Sequence, residues 1–120
     1  MASFSEAVLD HFKNPRNSGE LSDATHSVEV SNPICGDVLQ LAVRIQNGVI
    51  QKAKFLCRGC TTAIACASWL AEYVTDKRLL DLDAVNADTI SAALGGLPEE
   101  TRHGAILAAD AIKSLLRMKL

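Results

Sequence analysis

No stretch of this chain approaches the roughly 18 consecutive apolar residues that a membrane span needs. Nor is there a Lys/Arg cluster: 12 basic residues stand against 14 acidic ones, for a net charge of −2. That balance argues against nucleic acid or an anionic membrane as the main partner. The N-terminus lacks the basic-then-apolar layout of a secretory leader, which predicts a cytosolic protein. Internal repeats, linkers and low-complexity tracts are missing too. So are a Gly-rich phosphate loop, a nucleophile elbow and a cofactor fingerprint, which removes the common catalytic frameworks.

What remains is a chain of 120 residues, 48% apolar and 22% charged, enough for one domain (1–120) that buries a single core without disulfide staples. Its four cysteines are unevenly placed. Cys57, Cys60 and Cys66 lie within ten residues, and Cys35 stands apart. In a reducing compartment such a cluster points to metal binding or thiol chemistry, against the plainer reading of four small buried hydrophobes.

Ser3-Phe4-Ser5-Glu6 fits a capping box that opens a short helix, with Phe4, Ala7, Val8 and Phe12 at helical spacing and Pro15 ending it. The turn cluster 14–19 makes this helix an N-terminal arm lying against the body. His11 and His26 read as surface or hydrogen-bond-satisfied residues. Thr25 to Ser31 suggests a strand. Leu39, Leu41, Val43 and Ile45 alternate with polar residues in a second, and Val49 to Cys57 forms the return strand of a hairpin turning at Asn47-Gly48. A three-residue loop bulged at Gly48 pairs Ile45 with Val49, Val43 with Gln51, Leu41 with Ala53 and Leu39 with Phe55. That register sends Lys52 and Lys54 to the solvent face and sets Asp37 opposite Cys57.

Thr61 to Val74 is alanine-rich and apolar almost all round, a buried helix. A weaker helix is expected around Val85 to Leu94. Gly95-Gly96 breaks the chain, and Pro98-Glu99-Glu100 suits the first turn of a last helix. Its stripe is Ala105, Ala108, Ala109, Ile112, Leu115 and Leu116, with Asp110, Lys113 and Arg117 outward. The order predicts an α+β fold: a small antiparallel three-stranded sheet packed against N-terminal, central and C-terminal helices.

Three signals converge on one end of that sheet. Cys35-Gly36-Asp37 enters a strand through a turn, and Gly36 lets the backbone bend closely. Arg58-Gly59-Cys60 leads into a helix whose N-terminal dipole favours a thiolate at Cys60. His103 lies in or near the first turn of the last helix. Two cysteines, a carboxylate and an imidazole make a mixed four-ligand set for zinc or iron. Cys57, in Cys57-x-x-Cys60 spacing, reads either as a core residue at a strand end or as facing the site. Cys66 falls six residues past Cys60, about 240° around the helix, and reads as structural. Cys60 and His103 could pair as thiol and imidazole, but nothing else of a catalytic triad accompanies them.

These residues carry a resemblance. Glu6-Ala7-Val8-Leu9-Asp10-His11-Phe12, Asn14-Pro15-Arg16-Asn17, Asn32-Pro33-Ile34-Cys35-Gly36-Asp37, Gly59-Cys60 before Ala63-Ile64-Ala65, Leu97-Pro98, His103 and Leu107-Ala108-Ala109-Asp110-Ala111-Ile112 stand in the order of the U-type iron–sulfur cluster scaffolds, the IscU and NifU N-terminal family. The resemblance runs over almost the whole chain. It implies a non-catalytic scaffold that takes sulfur from a cysteine desulfurase, assembles a [2Fe–2S] cluster and passes it to recipient apo-proteins. It also implies that Cys35, Asp37, Cys60 and His103 are ligand positions and that zinc can occupy the apo site. Thiolates hold such clusters tightly. A carboxylate is a harder, weaker partner, so Asp37 would keep the cluster transferable.

Two departures from the family pattern stand out. A third cysteine usually follows the histidine, and this chain has Gly104 there; the unusual Cys57 is then expected to replace the missing thiol. Leu97-Pro98-Glu99-Glu100-Thr101 puts acidic residues where many members carry a basic chaperone-recognition segment, so no dedicated chaperone is assigned. A zinc-binding sulfur acceptor, or a degenerate member kept as a binding module, is the competing reading.

Overall fold

A computed structural model describes residues 4–34 and 36–118. Helix α1 (Glu6–Lys13) is followed by strands β1 (His26–Asn32), β2 (Asp37–Gln46) and β3 (Val49–Arg58), then α2 (Thr61–Val74), α3 (Ala87–Ala93) and α4 (His103–Leu116). The strands form one antiparallel sheet in the order β1-β2-β3. Leu39, Leu41 and Val43 point to one face and are buried; Ser27, Glu29, Gln40 and Lys52 on the other are exposed. Helices α2 and α4 cover the apolar face, and α1 packs across α2. The alanines expected to make α2 closely packed do so: Ala63, Ala65, Ala67 and Ala71 are buried, against Ala105, Ala108, Ala109 and Ala111 of α4. Small side chains let the two helices approach, while Leu70, Ile112 and Leu115 fill the space around them. Each of those contributes about 1.5–3 kcal/mol relative to exposure.

The hairpin departs from the expected register. Asn47 and Gly48 both have positive φ, 55° and 74°. This is the two-residue turn whose twist matches that of the strands. Gln46 therefore pairs with Val49 and Ile45 with Ile50, and the ladder then shifts so that Arg44 faces Lys52. Gln51 is the extra residue of this bulge, its amide tied to Arg44 and Gln46. A two-residue turn alone would have driven lysines inward; the bulge three residues later restores the correct faces. Leu41 thus pairs with Phe55 and Leu39 with Cys57. Asp37 does not stand opposite Cys57.

Smaller corrections follow the same logic. The cap of α1 is Ser5; Ser3 lies outside the described residues. Ser5 Oγ accepts from the Val8 N–H at 3.1 Å and donates to the Leu94 carbonyl at 2.6 Å, pinning α1 to the end of α3. Helix α3 is shorter than the expected 85–94, because Asn86 and Thr89 close a capping box. Pro98 leads a separate 3-10 turn, Glu99–Thr101, and α4 begins at His103.

Helix α1 keeps Ala7 and Val8 of the expected stripe against the core but shifts the rest of that face. Phe4 and Phe12 stay exposed, whereas Val8 and His11 are buried. His11 Nδ1 lies 2.9 Å from Ser68 Oγ, which also accepts the Arg16 N–H at 2.8 Å. The serine hydroxyl thus ties the imidazole of α1 to the backbone of the turn that follows it. Burial first, and then the nearby Arg16 charge, push the His11 pKa down. A histidine with a lowered folded pKa stabilises the fold above its unfolded value, and that contribution is lost as pH falls below it. Thermal stability should therefore decline from about pH 6.5 downward, and His11→Asn should flatten that segment of the profile. An unchanged slope in the variant would assign the decline to other groups.

Candidate metal centre

The far end of the sheet is built from three separate pieces of chain. Gly36, at φ 74°, makes a turn that most side chains would strain, and its N–H donates to the Asn32 carbonyl at 2.7 Å. The chain then enters β2 with Asp37 as its first residue, paired with Asn32 and buried on the helix-covered face. Strand β3 ends at Arg58, and Gly59 passes directly over the carboxyl group. A Cβ on Gly59 would stand 2.8 Å from Asp37 Cγ, so any larger residue here would displace the carboxyl group. Cys60 follows as the N-cap of α2, exposed and making no side-chain cap hydrogen bond. His103 enters from the first residue of α4.

The three side chains meet. Cys60 Sγ lies 3.3 Å from His103 Nε2 and 3.9 Å from Asp37 Oδ2, and the histidine and carboxylate atoms are 3.5 Å apart. Among the described residues this is the group of Cys, His and acidic side chains whose ligand atoms all lie within 4.8 Å of one another. Tetrahedral zinc with bonds of about 2.0–2.3 Å separates neighbouring sulfur, nitrogen and oxygen ligands by about 3.4–3.6 Å. The triangle is close to one face of such a tetrahedron.

Cys35 lies outside the described residues. Cys57 faces the covered side of β3, half-buried against the core, and its sulfur stands outside the triangle. Burial, then the Asp37 charge and then Cys60, push its pKa up to about 11. Cys66 is fully buried, its thiol pushed up to about 12 by burial. It is structural, as its angle on the helix implied. No disulfide joins the described cysteines.

Gly104 was missed as a packing residue. Its missing Cβ would lie 3.0 Å from both Ala63 Cα and N, and 3.1 Å from the Thr62 carbonyl carbon. The first turns of α2 and α4 thus touch backbone to glycine, which holds Cys60 and His103 at contact distance. The clue in the sequence was a glycine inside a helical pattern, opposite an alanine-rich helix.

The family model described as "NifU-like N terminal domain" matches residues 3–118. An iron-sulfur cluster assembly scaffold protein IscU from Haemophilus influenzae is 42% identical over 117 residues, covering 94% of this chain and 92% of that protein. The scaffold protein IscU 1 of Archaeoglobus fulgidus is 38% identical over 110 residues, covering 92% and 72%. In three dimensions the chain resembles the N-terminal NifU-like protein of Brucella abortus, with a TM-score of 0.64 at 19% identity over 93% of this chain and 79% of that one. That last likeness concerns the fold alone.

Proposed function

The chain belongs to the NifU-like N-terminal domain family, and from that premise we propose that it is a scaffold on which an iron–sulfur cluster is assembled and from which it is passed on. The observation that carries this reading is the convergence of Asp37, Cys60 and His103 from three elements far apart in sequence. The relatives named as IscU scaffolds support the same role. Cys35, two residues before Asp37 in the sequence, is the fourth proposed ligand. Two thiolates, an imidazole and a carboxylate suit a [2Fe–2S] cluster as cargo, and the same four donors suit zinc between rounds of assembly. The carboxylate is the weak member of the set, and it keeps the cargo releasable.

Sulfur is proposed to come from a cysteine desulfurase, and the products are recipient apo-proteins. The rim offers a protein an apolar contact: Ile34 is 93% exposed in the turn before Asp37, and Ile106 is 47% exposed one turn into α4. No helix among the described residues is long and apolar enough to cross a membrane.

Anaerobic reconstitution with a desulfurase, cysteine and ferrous iron tests the reading, with iron, acid-labile sulfide and zinc counted per chain. Equal iron and sulfide bound to the protein is the expected result. Zinc retained without sulfide would replace the scaffold by a zinc-bound sulfur acceptor.

A further inference from the structure

We propose that Cys57 is a second sulfur station: sulfane sulfur received on Cys60 is handed to Cys57, the less exposed thiol, which holds it outside the metal-binding triangle. The source of that sulfur, a desulfurase, rests on the scaffold reading; the transfer itself rests on the placement of the two thiols at one end of the sheet and on their unequal exposure.

Both thiols lie at the end of the sheet that carries Asp37, close together on one chain segment. Cys60 Sγ is 3.9 Å from Asp37 Oδ2. Cys57 is paired with Leu39, two residues from Asp37 on the same face of β2. The three further cysteines past the turn form a gradient of exposure: Cys60 open to solvent, Cys57 half-buried, Cys66 closed off in the core. The open thiol is the one a partner reaches. It is also a member of the metal-binding triangle, and a persulfide on it blocks the very sulfur that iron must bind. Position 104 offers no alternative thiol, since it is glycine packed on the α2 backbone. Moving the extra sulfur to Cys57 clears the ligand while keeping the sulfur beside it.

The step balances without an external redox agent. The Cys57 thiolate attacks the outer sulfur of the Cys60 persulfide. A Cys57 Sγ–S bond forms as the Cys60 Sγ–S bond breaks, and Cys60 leaves as a thiolate. The proton given up by Cys57 ends on Cys60, so a thiol and a persulfide have exchanged places. Thiol exchange rates follow the thiolate fraction of the attacker, so a buried thiol reacts slowly with solutes. A neighbour held in place acts at a far higher effective concentration, which favours transfer from Cys60 over direct loading.

The test loads wild-type, Cys57→Ser and Cys60→Ser proteins with sodium tetrasulfide, anaerobically and without metal, then alkylates and maps persulfides by mass spectrometry over time. The wild type should show sulfur first on Cys60 and then on Cys57. Cys57→Ser should retain it on Cys60, and Cys60→Ser should load Cys57 at least tenfold more slowly. Cys57→Ala, with a melting curve for each variant, guards against a folding defect at a half-buried site. Loading of Cys57 in Cys60→Ser at the wild-type rate, or no sulfur ever on Cys57, would overturn the relay. Failure of the scaffold reading shows separately, as absence of iron and sulfide in wild-type reconstitution, and leaves the tetrasulfide result standing.

Discussion

Cys60→Ser is expected to lose metal and gain stability in one substitution. The sulfur is one corner of the Asp37–Cys60–His103 triangle, with both other ligand atoms within 3.9 Å. Changes to groups that merely support ligands cost about 10–100-fold in metal affinity, so loss of a thiolate ligand should exceed about 100-fold. The same residue is the N-cap of α2, where it leaves the first-turn N–H groups without a side-chain acceptor. Serine is among the preferred residues at that position, and its hydroxyl would accept from the Thr62 or Ala63 N–H, for a gain of about 0.5–1 kcal/mol. Zinc competition titrations and melting of the metal-free proteins read the two effects independently. Weaker metal binding with a higher melting temperature is the signature of a position given over to function at the expense of the helix. Metal affinity unchanged within about threefold would remove Cys60 from the ligand set, whatever the melting curve showed.

Much of the site was legible because its parts are local. Gly36 before Asp37, Gly59 before Cys60 and His103 at a helix start each announce a turn that ends with a donor. The residue order does not state which turns meet, and the structure supplies that through the α2–α4 contact. The hairpin register shows where local reasoning stops. Keeping Lys52 and Lys54 outward required an odd residue somewhere, and the loop was the nearest place for it. The strands took the regular turn at Asn47-Gly48 instead and placed the odd residue at Gln51. From Lys52 onward the faces survived that difference because the period of a strand is two, although next to the turn Ile50 went inward in place of Val49 and Gln51. Partners moved by two residues, and Cys57 came to lie opposite Leu39. On α1, periodicity favoured Phe12 over His11. The hydroxyl of Ser68, 57 residues further on, reverses that preference, and no spacing rule reports a partner so distant.

Gly104→Cys should fail to supply a third thiol ligand and should destabilise the protein by about 1–3 kcal/mol, the usual cost of overpacking a well-filled interior. The neighbours a new Cβ would meet are backbone atoms of Thr62 and Ala63, at 3.0–3.1 Å. Backbone in the first turn of α2 cannot swing aside as a long side chain does. Relief therefore means separating α2 from α4, and these are the two helices that carry Cys60 and His103. The substitution would add a sulfur while widening the 3.3 Å gap between the existing donors. Gly104→Ala isolates the steric part, so both variants should lose stability and weaken zinc binding, with cysteine recovering little of the loss. Denaturant unfolding of the metal-free proteins and zinc competition on the same samples provide the comparison. Tighter zinc binding by Gly104→Cys than by wild type would mean that the helices part easily and that glycine was not needed for their approach. Weaker binding by both variants would mean that the close α2–α4 approach excludes a side chain at 104, so that this position cannot serve as a thiol donor of the centre.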